Sequence, residues 1–582
     1  MMVVAYPIAG RPARKTRLKL CVSIALFIFV LIHFHFWIPQ RSSSHPVDTL
    51  IKKAQTEFNR LLSQQTSTIA EAASAYRIRR GRHPPPGFEI WYNFAKSHNT
   101  VIIEEFWDQI HDDLAPFWGV PPEVLRDLSR SIDDNAFHLR NGTIKGRSNE
   151  GHIWMGIWWM MLDEIASYLP DLDMAMNIKD ESRVLAPWET VQSSRARGAP
   201  PPLPQPLSVI QKFSGQLRDP EGGHDFFPLL ISEYAAPTLA TDACYQPHLA
   251  GLHGTFIRPL RKSISTQIIP MFSSAKLSGN NDILVPGAMY YAGWTMFEAK
   301  PSSVNGTRWE EKQDAIVWRG HASGGINTPE NWNGFQRHRF LAMVNSMTVA
   351  AAEKCGENQK LSRGKQDENC ETGSASSFRL PDPKAYNLHY KSGGGQDGLN
   401  EWVRTWAGDT GFTNLMCHPR EPNGTCNYTS QYYSIVPELD LSAQINKYRY
   451  LPDIDGNSFS GRWRGFLLSS SVPMKATIYR EWHDKRLVPW VHFVPLDNAF
   501  IDIYGVMEYF VGHALGENYE TKPRGHNAQA KRIAEDGKVW AEKVLRKEDM
   551  LVYVMRLLLE WARVSDPKRA RLGYVGDLLS PE

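Results

Sequence analysis

Six cysteines in 582 residues are too few for a disulfide scaffold. Net charge is scarce too. It is formally +3, with five basic side chains and no acid in the first 19 residues, so the remainder carries −2. A chain so near neutrality is not built to hold nucleic acid through its overall field. No segment repeats at a fixed period, which sets aside solenoids and propellers. The G-x-G-x-x-G spacing is missing, and with it the dinucleotide-binding fingerprint. Only one long apolar run exists, residues 20–38 (LCVSIALFIFVLIHFHFWI).

That run matters for topology. At ~1.5 Å per helical residue it nearly matches a ~30 Å hydrocarbon layer. The following HFHFWIPQR offers no small-residue cleavage site, so the run reads as an anchor rather than a removed signal. Its basic flank lies on the N-terminal side, which predicts a cytoplasmic tail at 1–19, a transmembrane helix at 20–38 and a lumenal remainder. Four N-x-S/T sequons (Asn141, Asn305, Asn423, Asn427) agree with a secretory lumen. So do five cysteines beyond the run: Cys244, Cys355, Cys370, Cys417 and Cys426. Spacing leaves their pairing open; short-range bridges 355–370 and 417–426 are the expectation.

Residues 39–85 read as a stem, with 47–80 an exposed helix. The prolines of GRHPPPGFEIWYNFA stiffen the entry to the globular part. HIWMGIWWMMLDEIASYL has helical periodicity and reads as a buried helix, and RGAPPPLPQP as a surface loop. Short apolar strands follow (QIIPMFS, DILVPG, DAIVWRG, PMKATIY, PWVHFVPL), separated by helical patterns. That alternation predicts an α/β fold with largely parallel sheets. Residues 355–400 are polar, cysteine-bracketed and read as an insertion; 521–582 read as helices.

Four stretches carry candidate chemistry. DAIVWRGHASGG puts Arg319, Gly320, Ser323 and Gly324 just after a strand, where bare backbone can approach an anion. YLPDIDGNSFSGRWRG gathers Asp455, Gly456, Ser460, Arg462 and Arg464, and guanidinium forks match phosphate oxygens. NIKDESRV sets Asp180 between Asn177 and Arg183, the pattern of a positioned general base, or equally of a solvated turn. DLD (Asp171, Asp173) and DID (Asp453, Asp455) have the D-x-D form that can hold a cation on a diphosphate. Where arginines supply the positive charge, no metal is required, and none is expected.

Taken in order, PPPGFEIWYNFA, NIKDESRV, PMFSSAK…NDILVP, VWRGHASGG…NGFQRHRF and the long block YRYLPDIDG…WVHFVPL resemble glycosyltransferase family 90 across residues 80–565. That family includes fungal capsule-associated β-1,2-xylosyltransferases and animal protein O-glucosyltransferases. The resemblance implies a GT-B fold, two Rossmann-type domains facing a cleft. The acceptor-side domain would be 86–300 and the nucleotide-sugar domain 301–520. It implies metal-independent, inverting transfer from a UDP-sugar to a glycan or glycoprotein hydroxyl, with xylose favoured and glucose next. Neither a cofactor nor nucleic acid is involved, and a Golgi membrane is the implied location. Asp180 matches the family's catalytic base, and Arg319 and Arg462 its diphosphate binders. Ser273, Ser274 and Lys276 match a block lining the cleft. Gly320, Ser323, Gly324, Asp455, Gly456, Ser460 and Glu481 complete the expected donor site. His321 stands where the animal members usually carry Ser. Two rival readings are a glycoside hydrolase pairing Asp180 with Glu481, and a non-catalytic carbohydrate-binding protein.

Overall fold

The computed structural model describes residues 45–131, 135–147, 151–215, 230–231, 247–260, 264–292, 307–361, 380, 398–421, 426–512 and 525–579. The apolar run 20–38, most of the insertion 355–400, Asn305, Asn423, Cys244 and Cys370 lie outside them. Among the described residues no helix is long and apolar enough to cross a membrane. The chain divides into two compact units, Met1–Lys52 and Lys53–Glu582. Apart from the start of helix Pro46–Leu62, all that follows concerns the second.

Two five-stranded sheets organise this unit. The first is built from β1 (Ala136–Arg140), β2 (Thr143–Arg147), β3 (Leu172–Met176), β4 (Met271–Ser273) and β5 (Ile283–Leu284), in the order 2-1-3-4-5. The β1–β2 hairpin is antiparallel and β3 to β5 run parallel. Its turn is Asn141–Gly142, with φ of 50° and 71°, the left-handed pair that a two-residue hairpin demands. Both β1 and β3 are buried at every position, so Asp173 needs internal partners. His138 and Arg140 provide them at 2.7 and 2.6 Å.

The second sheet comprises β6 (Gln313–His321), β7 (Asp409–Asn414), β8 (Tyr448–Ile454), β9 (Val472–Ala476) and β10 (Val494–Pro495). Its spatial order is 7-6-8-9-10 and every pairing is parallel. The first strand therefore lies between the second and third, and the winding reverses between β6 and β8. Loops leaving the carboxyl ends of two such strands diverge and open a crevice.

The last helices return to the first half of the chain. Every residue from Asp549 to Val564 in helix Lys547–Val564 is buried, which suits a helix apolar around most of its girth. Trp91 donates to the Val552 carbonyl (3.0 Å) and Trp561 to that of Asp173 (3.0 Å). Each fully buried Leu, Met or Val there contributes roughly 1.5–3 kcal/mol.

Three expectations meet the structure here. The exposed helix at 47–80 is corrected: the chain breaks into helices Pro46–Leu62 and Ile69–Arg80. A Thr68/Glu71 capping box opens the second, and its Tyr76 is fully buried against Glu560. Cys417 and Cys426 are bridged, the short-range pair expected. The α/β class with parallel sheets holds.

Candidate active site

The loop after β3 is fixed from behind. Asn177 donates to Ser273 Oγ (3.1 Å) and to the Glu181 carbonyl (2.9 Å), while its own oxygen accepts the Lys179 amide (3.0 Å). Buried Asp282 accepts the Arg183 and Val184 amides, each at 2.8 Å, and the Ser273 hydroxyl at 2.6 Å. Burial pushes the Asp282 carboxyl up despite those bonds. With both ends tied, Asp180 stands exposed at the loop's apex. It lines a narrow cavity of about 20 Å³ with Trp154, Trp158, Ser274 and Phe459.

Two residues of the expected cleft lining are corrected. Ser273 is wholly buried in the Asn177–Asp282 network. Lys276 is buried in an ion pair with Asp113 and donates to the Asp282 carbonyl (2.9 Å). Ser273 spends its one donor on Asp282, and Lys276 is held inside by Asp113 and the Asp282 carbonyl; of the three, Ser274 lines the cavity.

The opposite wall is the crevice between β6 and β8. Arg337, on helix Gln336–Met343, reaches under both loops. It donates to the carbonyls of His321 (2.8 Å), Ile454 (3.0 Å) and Asp455 (2.9 Å) and to Ser323 Oγ (2.7 Å). Gln336 adds a bond to the Asp455 carbonyl (3.0 Å). Gly324 sits at φ +110°, and a Cβ there would stand 2.2 Å from Gln336 Nε2, so only glycine lets this turn close. Gly456 is similarly packed, 2.9 Å from Arg337 Nη2 to a Cβ. Gly320 lies against the Trp318 ring.

Arg462 lies beside this floor. Its Nη1 donates to the Arg319 carbonyl (2.9 Å) and its Nη2 to Asp453 (3.2 Å). Burial first, and then the like charge of Arg462, draw Arg337 down to about 9. Two guanidiniums crowded at one crevice favour an anion there. The Arg319 side chain, by contrast, turns away. It pairs with Asp409 on β7 and donates to the carbonyls of Asp409 (2.8 Å) and Pro437 (3.2 Å). Its expected contact with a diphosphate is therefore corrected: its backbone, not its guanidinium, meets Arg462.

The remaining donor-site candidates are engaged with protein partners. Asp455 caps the Ile478 amide (2.7 Å), and Ser460 donates to Asp453 (2.6 Å). Glu481 is buried between Lys475 (3.2 Å) and His483 (3.4 Å). Burial disfavours its charge, yet Lys475 and His483 outweigh that and hold it down at about 2. A carboxyl held as the anion between Lys475 and His483 is poorly suited to the proton-donor role in a hydrolase pair. The D-x-D carboxylates are likewise occupied. Asp171 accepts the Asn141 amide (2.8 Å) and Asp173 is held by His138 and Arg140. Asp453 is held by Ser460, Arg462 and Lys475.

One residue joins the two walls. Asn457, in the loop after β8, accepts the Gly324 amide on its oxygen (3.0 Å). Its NH₂ must then face outward, and it donates to Asp180 across the cleft (3.3 Å). Behind Asn457, Tyr479 donates to its carbonyl (2.7 Å). Tyr479 also lines a cavity of about 410 Å³, with Trp463, Lys475, Thr477, His483 and Asn498. That volume lies within the range of small-molecule sites, at the carboxyl ends of β9 and β10.

Sequence reasoning missed Arg337, Gln336, Asn457 and Lys475. NGFQRHRF was legible as a block, but a helix presenting one arginine to two distant loops depends on the crossover geometry.

Comparison with known proteins points the same way. Residues 422–571 match the family model "Glycosyl transferase family 90". The chain is 29% identical over 124 residues to Protein O-glucosyltransferase 3 of Rattus norvegicus. It is 27% identical over 125 residues to Protein O-glucosyltransferase 2 of Danio rerio. Each alignment covers 21% of this chain and 22% of the relative, so the chain matches about a fifth of the length of these curated proteins. The matched region holds the Asp453–Arg462 loop, Glu481 and the buried helix Lys547–Val564. The Asp180 and Arg319 loops lie outside it. From residue 422 to residue 571, this chain is similar to glycosyltransferase family 90.

Proposed function

We propose that this chain is an inverting glycosyltransferase. It moves a sugar, xylose in preference to glucose, from a UDP-sugar to a hydroxyl of a glycan or glycoprotein. The observation that carries the reading is the bridge from Asp180 through Asn457 to the Gly324 amide, which sets an exposed carboxylate against a crevice lined by guanidiniums.

The diphosphate lies at the β6–β8 crevice, against Arg462 and the Ser323 amide, with the nucleoside extending into the 410 Å³ cavity. The acceptor hydroxyl oxygen attacks the anomeric carbon while the bond from that carbon to the β-phosphate oxygen breaks. Asp180 takes the hydroxyl proton, and UDP leaves with the bonding electrons. One displacement converts an α-linked donor into a β-linked product. Negative charge grows on the β-phosphate as this happens, and preorganised donors are worth most there. The positive charge comes from the protein, with no metal. The apolar run 20–38 supports anchoring in a Golgi membrane with the site in the lumen.

A thermal-shift and transfer panel of UDP-xylose, UDP-glucose and UDP, run with EDTA, tests this. The reading predicts saturable stabilisation by UDP and transfer from UDP-xylose undiminished by EDTA. Indifference to UDP refutes it.

A further inference from the structure

We propose that the chain carries a second anion site, a notch in which Arg82, Arg563, Arg569 and Arg571 gather around Trp118 under the proline-rich loop, taking one carboxylate, sulfate or phosphate group. Pro201 and Pro204 of that loop line it, together with His83. None of its lining residues lines the cavities beside Asp180 or Tyr479.

The charge there is one-sided. The Arg82 guanidinium carbon lies 3.4 Å from the Trp118 ring centre, with Arg563 at 5.6 Å and Arg569 at 5.7 Å. Glu560 pairs with Arg563 but is shared with Arg556 at 3.2 Å. Among the described residues no carboxylate comes within ion-pair distance of Arg82, Arg569 or Arg571. Those three hold neutral backbone carbonyls instead. Arg82 donates to Gly198 (2.9 Å), Arg569 to Trp118 (2.8 Å) and Val120 (2.8 Å), and Arg571 to Ser208 (3.1 Å). Carbonyls satisfy N–H groups without cancelling charge. Burial, and next the like charge of Arg563, draw Arg82 down to about 10.

One enclosed donor at the notch has no hydrogen-bond partner: Arg563 Nε. Arg563 is only 2% exposed, and His83 donates from Nε2 to the Pro204 carbonyl (2.9 Å). Buried donors are rarely left unmatched unless something external completes them. The notch measures about 20 Å³, where ~10–15 Å³ suffices for one water-sized group. It therefore admits the oxygens of a terminal oxyanion, not a sugar ring or a nucleotide.

The test is thermal unfolding and titration calorimetry of the full-length protein with sodium sulfate and sodium acetate, against sodium chloride at equal ionic strength. Saturable stabilisation beyond chloride is expected, weakened about tenfold in Arg82→Gln and in Arg571→Gln, with UDP affinity unchanged in both. Arg571 is exposed, so Arg571→Gln keeps the test available should Arg82→Gln fail to fold. A stronger response to sulfate assigns a tetrahedral anion; a stronger response to acetate assigns a carboxylate. A response no different from chloride, or equal in wild type and variants, overturns the proposal and leaves the guanidiniums as braces of the backbone.

Discussion

Arg319→Ala and Arg462→Ala should have opposite signatures, although each arginine stands beside a glycine, Arg319 near the end of β6 and Arg462 in the loop after β8. Arg462 already spends two N–H groups on Arg319 and Asp453, which fixes its fork at the crevice and leaves donors for a diphosphate. Removing it should cost one or two charge-assisted bonds, ~1.5–3 kcal/mol, or about 10- to 100-fold in UDP affinity. The fold should tolerate the loss, because Lys475 (3.3 Å) and Ser460 (2.6 Å) still hold Asp453. Arg319 instead neutralises Asp409, which also accepts from Tyr448. Burial opposes the Asp409 charge, but Tyr448 and Arg319 together hold it below the usual carboxylate range. The pair is partly exposed, so Arg319→Ala should cost ~1–2 kcal/mol of stability, a fall of a few degrees in unfolding temperature, with UDP affinity within about threefold of wild type. Calorimetric titration with UDP and a thermal melt of each variant decide. If Arg319→Ala weakens UDP as much as Arg462→Ala while melting normally, the assignment of Arg319 to the β7 ion pair is refuted.

Two further outcomes follow from the same geometry. Gly324→Ala forces a Cβ to 2.2 Å from Gln336 Nε2 at φ +110°, so ~1–3 kcal/mol of stability and most UDP binding should be lost; a melt and titration matching wild type would show that the turn need not close this way. Glu481, held at about 2 in the fold against an ordinary value of 4.5, stabilises the folded state above pH ~4.5, and that contribution fades as pH falls toward ~2, on the order of 3 kcal/mol in all. Glu481→Gln should flatten the acid limb of stability in that window, and an unchanged limb in urea melts between pH 5 and 2.5 would contradict it.

Much of the fold was legible because its strands are short apolar runs. DAIVWRG became β6 and PMKATIY became β9, with bounds shifted by a few residues. The β1–β2 hairpin was not anticipated, because the helical reading of HIWMGIWWMMLDEIASYL drew attention past it, yet its Asn141–Gly142 turn was a local signal available in sequence. Asp180, Gly324, Gly456 and Arg462, picked out by residue type and turn chemistry, lie at the cleft or its floor. Ser273, Lys276, Arg319 and Glu481 have partners that were not legible, because sequence shows a side chain's neighbours along the chain and not which distant group claims it. Asp113, Asp282, Asp409 and Lys475 made those claims. Asn457 was overlooked for the same reason, its two partners being contributed by separate loops.

The most direct test concerns the carboxylate at the loop apex. Asp180→Asn preserves shape and the contact to Asn457's neighbourhood while removing the proton acceptor. UDP titration and UDP-sugar transfer should be measured on the same preparation. UDP affinity should stay within about twofold, with transfer down at least ~10²-fold. Transfer that persists in Asp180→Asn, with UDP bound as before, would contradict the account.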